Sequence, residues 1–202
     1  MESHQNFVAV TVGQPTQRPL QGSIEVKRQS YYSSERKHRM SLHDVMLEEL
    51  RSLYSAENQI VKALPKLIKH AKNEELKNGF SQHLAQTEEH VERLKKIFEQ
   101  LDQKPTGKDC KGMEGLLEEG KEVLNEDENG DSYDVGLIGA ASRVEHYEIA
   151  GYTWAITVAT ALGMKEAVAL LEETLAEEEE TRDELEDLLS QFLERSVKRT
   201  AA

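Results

Sequence analysis

The sequence is poor in the features that define several fold classes. One cysteine in 202 residues, Cys110, excludes an internal disulfide and fits a reducing compartment, so a cytoplasmic location is expected. Four prolines and twelve glycines are too few for a fold built on many tight turns between strands. No apolar run approaches the roughly 18–20 residues that cross a bilayer, so no transmembrane helix and no membrane partner are expected. No basic start followed by an apolar stretch opens the chain, so no secretory signal is expected either. Cations are scarce as well: 25 Lys and Arg stand against 38 Asp and Glu, a formal net charge of −13. A surface of that sign repels phosphate backbones and argues against nucleic acid as a partner.

What the chain does have is unevenly distributed. Residues 1–41 carry six basic and three acidic side chains, a net of +3, which leaves −16 on the remainder. The first 40 residues also lack helical periodicity and contain Gly13, Pro15, Pro19 and Gly22. They read as a flexible basic N-terminal tail, with a short extended piece at Phe7–Val12. A domain is expected at 41–198.

From Ser41 onward the apolar residues recur at helical spacing. The first long helix starts at Ser41 as N-cap and runs to Lys72–Asn73, with Pro65 inside it as a source of kinking. The second runs from Glu74 to Leu101, the third from about Tyr133 to Leu162, with Gly163 as its stop, and the fourth from Lys165 to about Ser196. A crossover at 105–132 holds a short amphipathic stretch, Met113–Leu124, and the turn Asn125–Asp131. Two tight helical hairpins joined by a long crossover define an all-α, ferritin-like antiparallel four-helix bundle.

The two hairpins also resemble each other. A shift of 91 residues lays Leu84-Ala85 on Leu175-Ala176, Glu88-Glu89 on Glu179-Glu180, Leu94 on Leu185 and Glu57 on Glu148. In every long helix the apolar stripe is interrupted at mid-length by polar residues. These are Glu57 in the first, His83, Thr87 and His90 in the second, Glu145 and Glu148 in the third, and Glu178, with Glu177 beside it, in the fourth. Hairpin geometry sets these interruptions at one height. Any one of them alone reads equally well as the rim of a solvated face, and at most two of Glu177–Glu180 can face inward. Four coincident breaks are different. Buried carboxylates cost several kcal/mol each in desolvation and repel one another, and a bound cation offsets both effects. Carboxylate oxygens with imidazole nitrogens suit non-haem iron or manganese.

At these residues the chain resembles the YciE/YciF ferritin-like stress proteins of bacteria. The likeness is carried by Leu53-Tyr54-Ser55-Ala56-Glu57-Asn58-Gln59, His83-Leu84-Ala85-Gln86-Thr87, Cys110-Lys111-Gly112-Met113-Glu114-Gly115-Leu116, Val144-Glu145-His146-Tyr147-Glu148-Ile149-Ala150 and Glu173-Thr174-Leu175-Ala176-Glu177-Glu178-Glu179. The resemblance covers about residues 42–193. It implies a ferritin-like bundle, a homodimer, a carboxylate-bridged di-metal site and a role in stress responses, without a settled reaction. Two departures stand out: the usual Glu-x-x-His pair is absent from the second and fourth helices, and Gln86 stands where many relatives carry Glu. His83 or His90 supplies the missing ligand.

The leading expectation is therefore a di-iron or manganese centre held by Glu57, His83, Glu145, Glu148 and Glu177 or Glu178, able to react with peroxide or dioxygen. Tyr54, Tyr147 and Tyr152 are candidates for hydrogen bonding to the ligands. The alternative is a metal-free structural bundle that binds a partner through its surface or its basic tail. A storage ferritin ranks last, because nothing in the sequence marks cage-forming contacts.

Overall fold

In the computed structural model of the chain, the residues described are 40–106, 108–126 and 132–200, with side chains described to 195. The expected extended piece at Phe7–Val12 and the rest of the tail before Met40 lie outside them. Among the described residues five helices follow one another: α1 Leu42–His70, α2 Glu74–Gln100, α3 Lys111–Leu124, α4 Ser132–Ala161 and α5 Lys165–Thr200. The hairpins α1/α2 and α4/α5 form the four-helix bundle, and α3 lies in the crossover against α1 and α4.

The helix ends are set by local chemistry. Ser41 and Asp44 form a capping box, with Asp44 N donating to Ser41 Oγ at 3.1 Å and Ser41 N donating to Asp44 Oδ2 at 2.8 Å. Helix α1 continues unbroken through Pro65. Pro65 is on the exposed side, where water can serve the Val61 carbonyl that the ring leaves without a donor. Asn73 caps α2 by accepting from Glu75 N and Leu76 N. The buried Asp134 of α4 accepts from the amides of Lys72 and Asn73, at 2.9 and 2.8 Å, and so ties the first turn to the second hairpin. Gly163, at φ +73°, ends α4 in a Schellman motif, with Gly163 N donating to Thr160 O and Met164 N to Ala159 O.

The core is split in two. One apolar cluster contains Ile60, Leu64, Leu76, Phe80, Leu137, Ile138 and Leu185, and Met113 of α3 is inserted into it. The other contains Met46, Leu50, Leu53, Leu94, Phe98, Tyr152 and Leu171. Between them, in sequence and in space, lie the buried polar residues. Helix α3 begins at Cys110, whose amide donates to Ser55 Oγ and whose carbonyl accepts from Gln59 Nε2. Its thiol lies 3.1 Å from the Tyr147 hydroxyl. Gly112 has no room for a side chain, because a Cβ there would sit 2.6 Å from that hydroxyl oxygen.

Candidate metal centre

Each long helix contributes to one buried polar layer. Glu57 comes from α1, His83, Thr87 and His90 from α2, Glu145 and Glu148 from α4, and Glu178 from α5; all are buried. The spacing explains the convergence. His83, Thr87 and His90 lie at i, i+4 and i+7, on one face of α2, and Glu145 and Glu148 at i and i+3 on α4. These residues divide into two groups whose potential ligand atoms lie within 4.8 Å of one another. The first is Glu57, His90 and Glu178. The second is His83, Glu145, Glu148 and Glu178. Glu178 is common to both.

The layer tests well as a cation site. Eight buried atoms in it lack a hydrogen-bond partner: Glu57 Oε2, His83 Nε2, His90 Nδ1, Glu145 Oε2, both oxygens of Glu148 and both of Glu178. Unsatisfied buried polar atoms are uncommon and costly. Here they are carboxylate oxygens and imidazole nitrogens, the donor set of non-haem iron and manganese.

The imidazoles are oriented from outside. His90 Nε2 bonds Glu177 Oε2 at 2.7 Å, while its Nδ1 faces Glu178 Oε1 at 3.0 Å and Glu57 Oε2 at 3.5 Å. A carboxylate on the outer nitrogen is the arrangement that fixes the tautomer of metal-binding histidines. Glu177 is held in turn by Arg93, which also reaches Glu173. His83 turns Nε2 toward Glu145 Oε1 at 3.3 Å and has Thr181 Oγ1 3.5 Å from its Nδ1. The buried Tyr152 donates its hydroxyl hydrogen to Glu57 Oε1.

Protonation reflects the crowding. Burial, and then the charge of Glu178, push Glu145 and Glu148 well above the usual carboxylate range. Burial also raises Glu57, although the neighbouring His90 works against it. Burial would raise Glu178 too, but His90 and His83 win and hold it low. Burial lowers His83. Burial opposes charge on His90 as well, yet Glu57 and Glu178 push it up to about 11. Without metal, then, the two sides differ: the charged form of His90 is favoured beside Glu57, while burial favours the protonated forms of Glu145 and Glu148.

Of the residues expected from sequence, the structure gathers Glu57, His83, Glu145, Glu148 and Glu178. Glu177 lies outside both groups, half-buried, engaged with His90 and Arg93. Glu179 and Glu180 are exposed. Gln86 is half-buried and belongs to neither group. The sequence offers His90 only as an alternative to His83, whereas the structure puts it inside the first group. Its position seven residues after His83, on the same face, was the available signal. Of the tyrosines, Tyr152 bonds Glu57, Tyr147 meets Cys110, and Tyr54 packs edge-on against Phe98.

Fold and site together define a class: a ferritin-like four-helix bundle whose buried glutamates and histidines could hold metal ions. The chain belongs to the family of the stress protein YciF. The family model, described as a domain of unknown function (DUF892), matches residues 41–198. Protein YciF of Escherichia coli strain K12 is 42% identical over 149 residues, which are 73% of this chain and 90% of YciF. The crystal structure of that stress protein matches with a TM-score of 0.74 at 40% identity, over 76% of this chain and 98% of the other. YcfI from Rhodopseudomonas palustris matches with a TM-score of 0.70 at 37% identity, over 75% and 96%. A Xanthomonas campestris protein at 19% identity and TM-score 0.61 shares the fold, over 80% of this chain and 100% of its own.

Proposed function

We propose that the polar layer binds two divalent cations, iron or manganese, with Glu178 common to both sets of holding residues, and that the loaded bundle would react with peroxide or dioxygen during stress. The observation that carries this reading is the set of eight buried ligand atoms without a hydrogen bond, arriving from four helices in two groups that share one carboxylate. Glu57, His90 and Glu178 would hold one ion, and His83, Glu145, Glu148 and Glu178 the other. Bound iron or manganese supplies the one-electron redox steps that the side chains lack. The chain's own contribution is to orient the imidazoles through Glu177 and Thr181, hold Glu57 through the Tyr152 hydroxyl, and flank the layer with two apolar clusters.

The test is elemental analysis of protein purified from iron-supplemented cells. About two metals per chain, lost in a Glu57→Ala/Glu148→Ala double variant, supports the reading. Metal-free protein whose melting temperature ignores added Fe(II) and Mn(II) would sink it. Peroxide consumption by the loaded protein then tests the reaction, and inert loaded protein removes the enzymatic part.

A second reading, a metal-free structural bundle, is favoured by one observation. His90 is an internal cation against Glu57, Glu177 and Glu178, so part of the layer is compensated without metal. A structural role has been suggested for YcfI. The same metal analysis decides between the two.

We further propose a homodimer. From Ile149 to Ala161, α4 carries no charged residue, and the helix leaves Tyr147 and Trp154 36% and 39% exposed. A helix apolar on all sides needs cover on all sides. Sedimentation of Trp154→Glu should show monomer where the parent shows dimer.

A further inference from the structure

One hollow touches the polar layer, and a second adjoins the first on the side of α3. The inner one, about 40 Å³, is lined by apolar side chains including Leu64, Leu76 and Phe80, and also by His83 and Glu145 of the second ligand group. The outer one is a groove of about 250 Å³ between α1, α3 and α4, floored by the half-buried Leu67, Leu116, Leu117 and Leu124. The two share Ala63, Leu67, Leu117, Ala141 and Val144. One layer of side chains therefore separates the open groove from a cavity that touches the metal ligands.

The rim of the groove is chemically marked. Lys62 and Lys66 stand one turn apart on α1, both exposed, and neither has an ion-pair partner among the described residues. The acid that lines the groove, Glu114, is engaged by Lys111 at 2.5 Å, and the third rim lysine, Lys121, by Glu118 at 2.6 Å. Uncompensated cations beside apolar surface are a distinctive feature in a chain of net charge −13. Lys62 and Lys66 lie five and nine residues past Glu57 on α1, about 8 and 14 Å along the helix at 1.5 Å per residue. A concave apolar trough, two cations at its edge and a narrower cavity beyond it fit one kind of molecule. That molecule has a single flexible apolar chain and one anionic head. A flat protein surface would not reach the inner cavity.

We propose that this groove binds a free aliphatic carboxylate, its head on Lys62 and Lys66 and its tail running beneath α3 toward His83 and Glu145. Burial of the tail supplies most of the affinity, and the lysines set the direction. Binding itself requires no metal. That the bound chain is what the centre acts upon rests on the metal reading above, so binding and metal content are measured separately.

Isothermal titration of decanoate into the full, metal-free chain should show saturable binding. Lys62→Glu/Lys66→Glu, on the surface and harmless to the fold, should weaken it about tenfold, the scale of reversing two rim charges. Leu117→Trp, filling the trough, should abolish it with melting temperature retained. In Mn(II)-loaded protein, the terminal methyl protons of decanoate should relax faster than those next to the carboxylate. Absence of binding, equal affinity in the lysine variant, binding only to anionic phosphatidylglycerol vesicles, or lysine-dependent self-association without decanoate binding would each overturn the proposal. Faster relaxation at the carboxylate end would overturn the assigned direction.

Discussion

The two ligand groups are built from repeated hairpins, yet they are not copies. At the 91-residue offset, Thr87-x-x-His90 of α2 falls on Glu178-x-x-Thr181 of α5. Each hairpin keeps one member of a Glu-x-x-His pair and has threonine in place of the other. The structure compensates differently on the two sides. The imidazole missing at Thr181 is replaced by His83, whose ring comes within 3.5 Å of the Thr181 hydroxyl. The carboxylate missing at Thr87 is not replaced; Glu178 belongs to both groups. Thr87 itself donates to the His83 carbonyl at 2.7 Å and is absorbed by its own helix. The groups differ in charge as well. The Glu57 group contains a built-in cation, His90, and a hydroxyl donor, Tyr152. Glu148 in the other group has no partner for either oxygen. The asymmetry teaches that without metal one half carries its own cation, whereas the other can shed charge only by taking up protons.

The largest test of this comparison removes the shared member. In Glu178→Ala, metal per chain after Fe(II) or Mn(II) loading should fall from about two to below one, measured by elemental analysis after desalting. A variant that still holds one ion tightly would show that the halves are independent and that Glu178 serves only one.

The next test should give opposite signs in the two halves of the metal-free protein. Glu148→Met removes two partnerless buried oxygens and adds apolar volume. It should raise unfolding free energy by about 1–4 kcal/mol, as when buried ionic groups are replaced by packed apolar ones. Glu57→Met strips His90 and Tyr152 of a partner and should lower it by about 3–5 kcal/mol. Urea melts of both chelated variants provide the comparison. A stabilising Glu57→Met would erase the distinction between the halves.

The pH dependence sharpens the same contrast. Glu57, Glu145 and Glu148 are raised above the ordinary value of 4.5, so each binds its proton more tightly folded than unfolded. Their contribution is full below pH 4.5 and declines as pH rises through the folded values. That of His90 is full below 6.5 and declines toward about 11. His83, lowered, acts the other way: its contribution is present above 6.5 and fades as pH falls through its folded value. Glu178, also lowered, loses its contribution below 4.5. The metal-free protein should therefore melt highest in mildly acidic buffer and lose melting temperature steadily toward pH 9. Metal ions take the place of the protons, so the loaded protein should lose this decline. A metal-free protein most stable at pH 9 would contradict the upward shift of Glu145 and Glu148.

Much of this arrangement could be read from the residues before any coordinates. Ser41 and Gly163 marked helix ends because capping chemistry is local, and the apolar stripes gave four long helices because their period is local too. The interruptions at Glu57, His83, Glu145, Glu148 and Glu178 were visible for the same reason. What a stripe cannot give is rotation to within one residue. On α5, Glu177 and Glu178 stand about 100° apart, and only packing decides that Glu178 points inward while Glu177 reaches Arg93 across the gap to α2. His90 was ambiguous on similar grounds, since a histidine that binds outward to Glu177 and inward to Glu178 depends on a second helix. The link from Asp134 to the amides of Lys72 and Asn73 joins residues more than sixty apart and leaves no local trace.

The smallest expected effect lies in how the two imidazoles are held. The outer nitrogen of His90 meets a carboxylate, Glu177, at 2.7 Å; that of His83 meets a hydroxyl, Thr181, at 3.5 Å. Partners outside a ligand ring change metal affinity by about 10–100-fold when removed. Glu177→Gln keeps a side chain within reach of His90 but loses the negative charge that favours its outer N–H, so the ion on that side should weaken toward the upper part of the range. Thr181→Val preserves shape and removes only a long, poorly formed bond, so the other ion should weaken by about tenfold or less. Mn(II) titrations followed by electron paramagnetic resonance, which resolve two successive binding steps, would assign each loss to one step. If Thr181→Val costs more than Glu177→Gln, then the His83 ring depends on its threonine more than the distance implies. The replacement of one half's missing histidine would in that case be the more delicate part of the site.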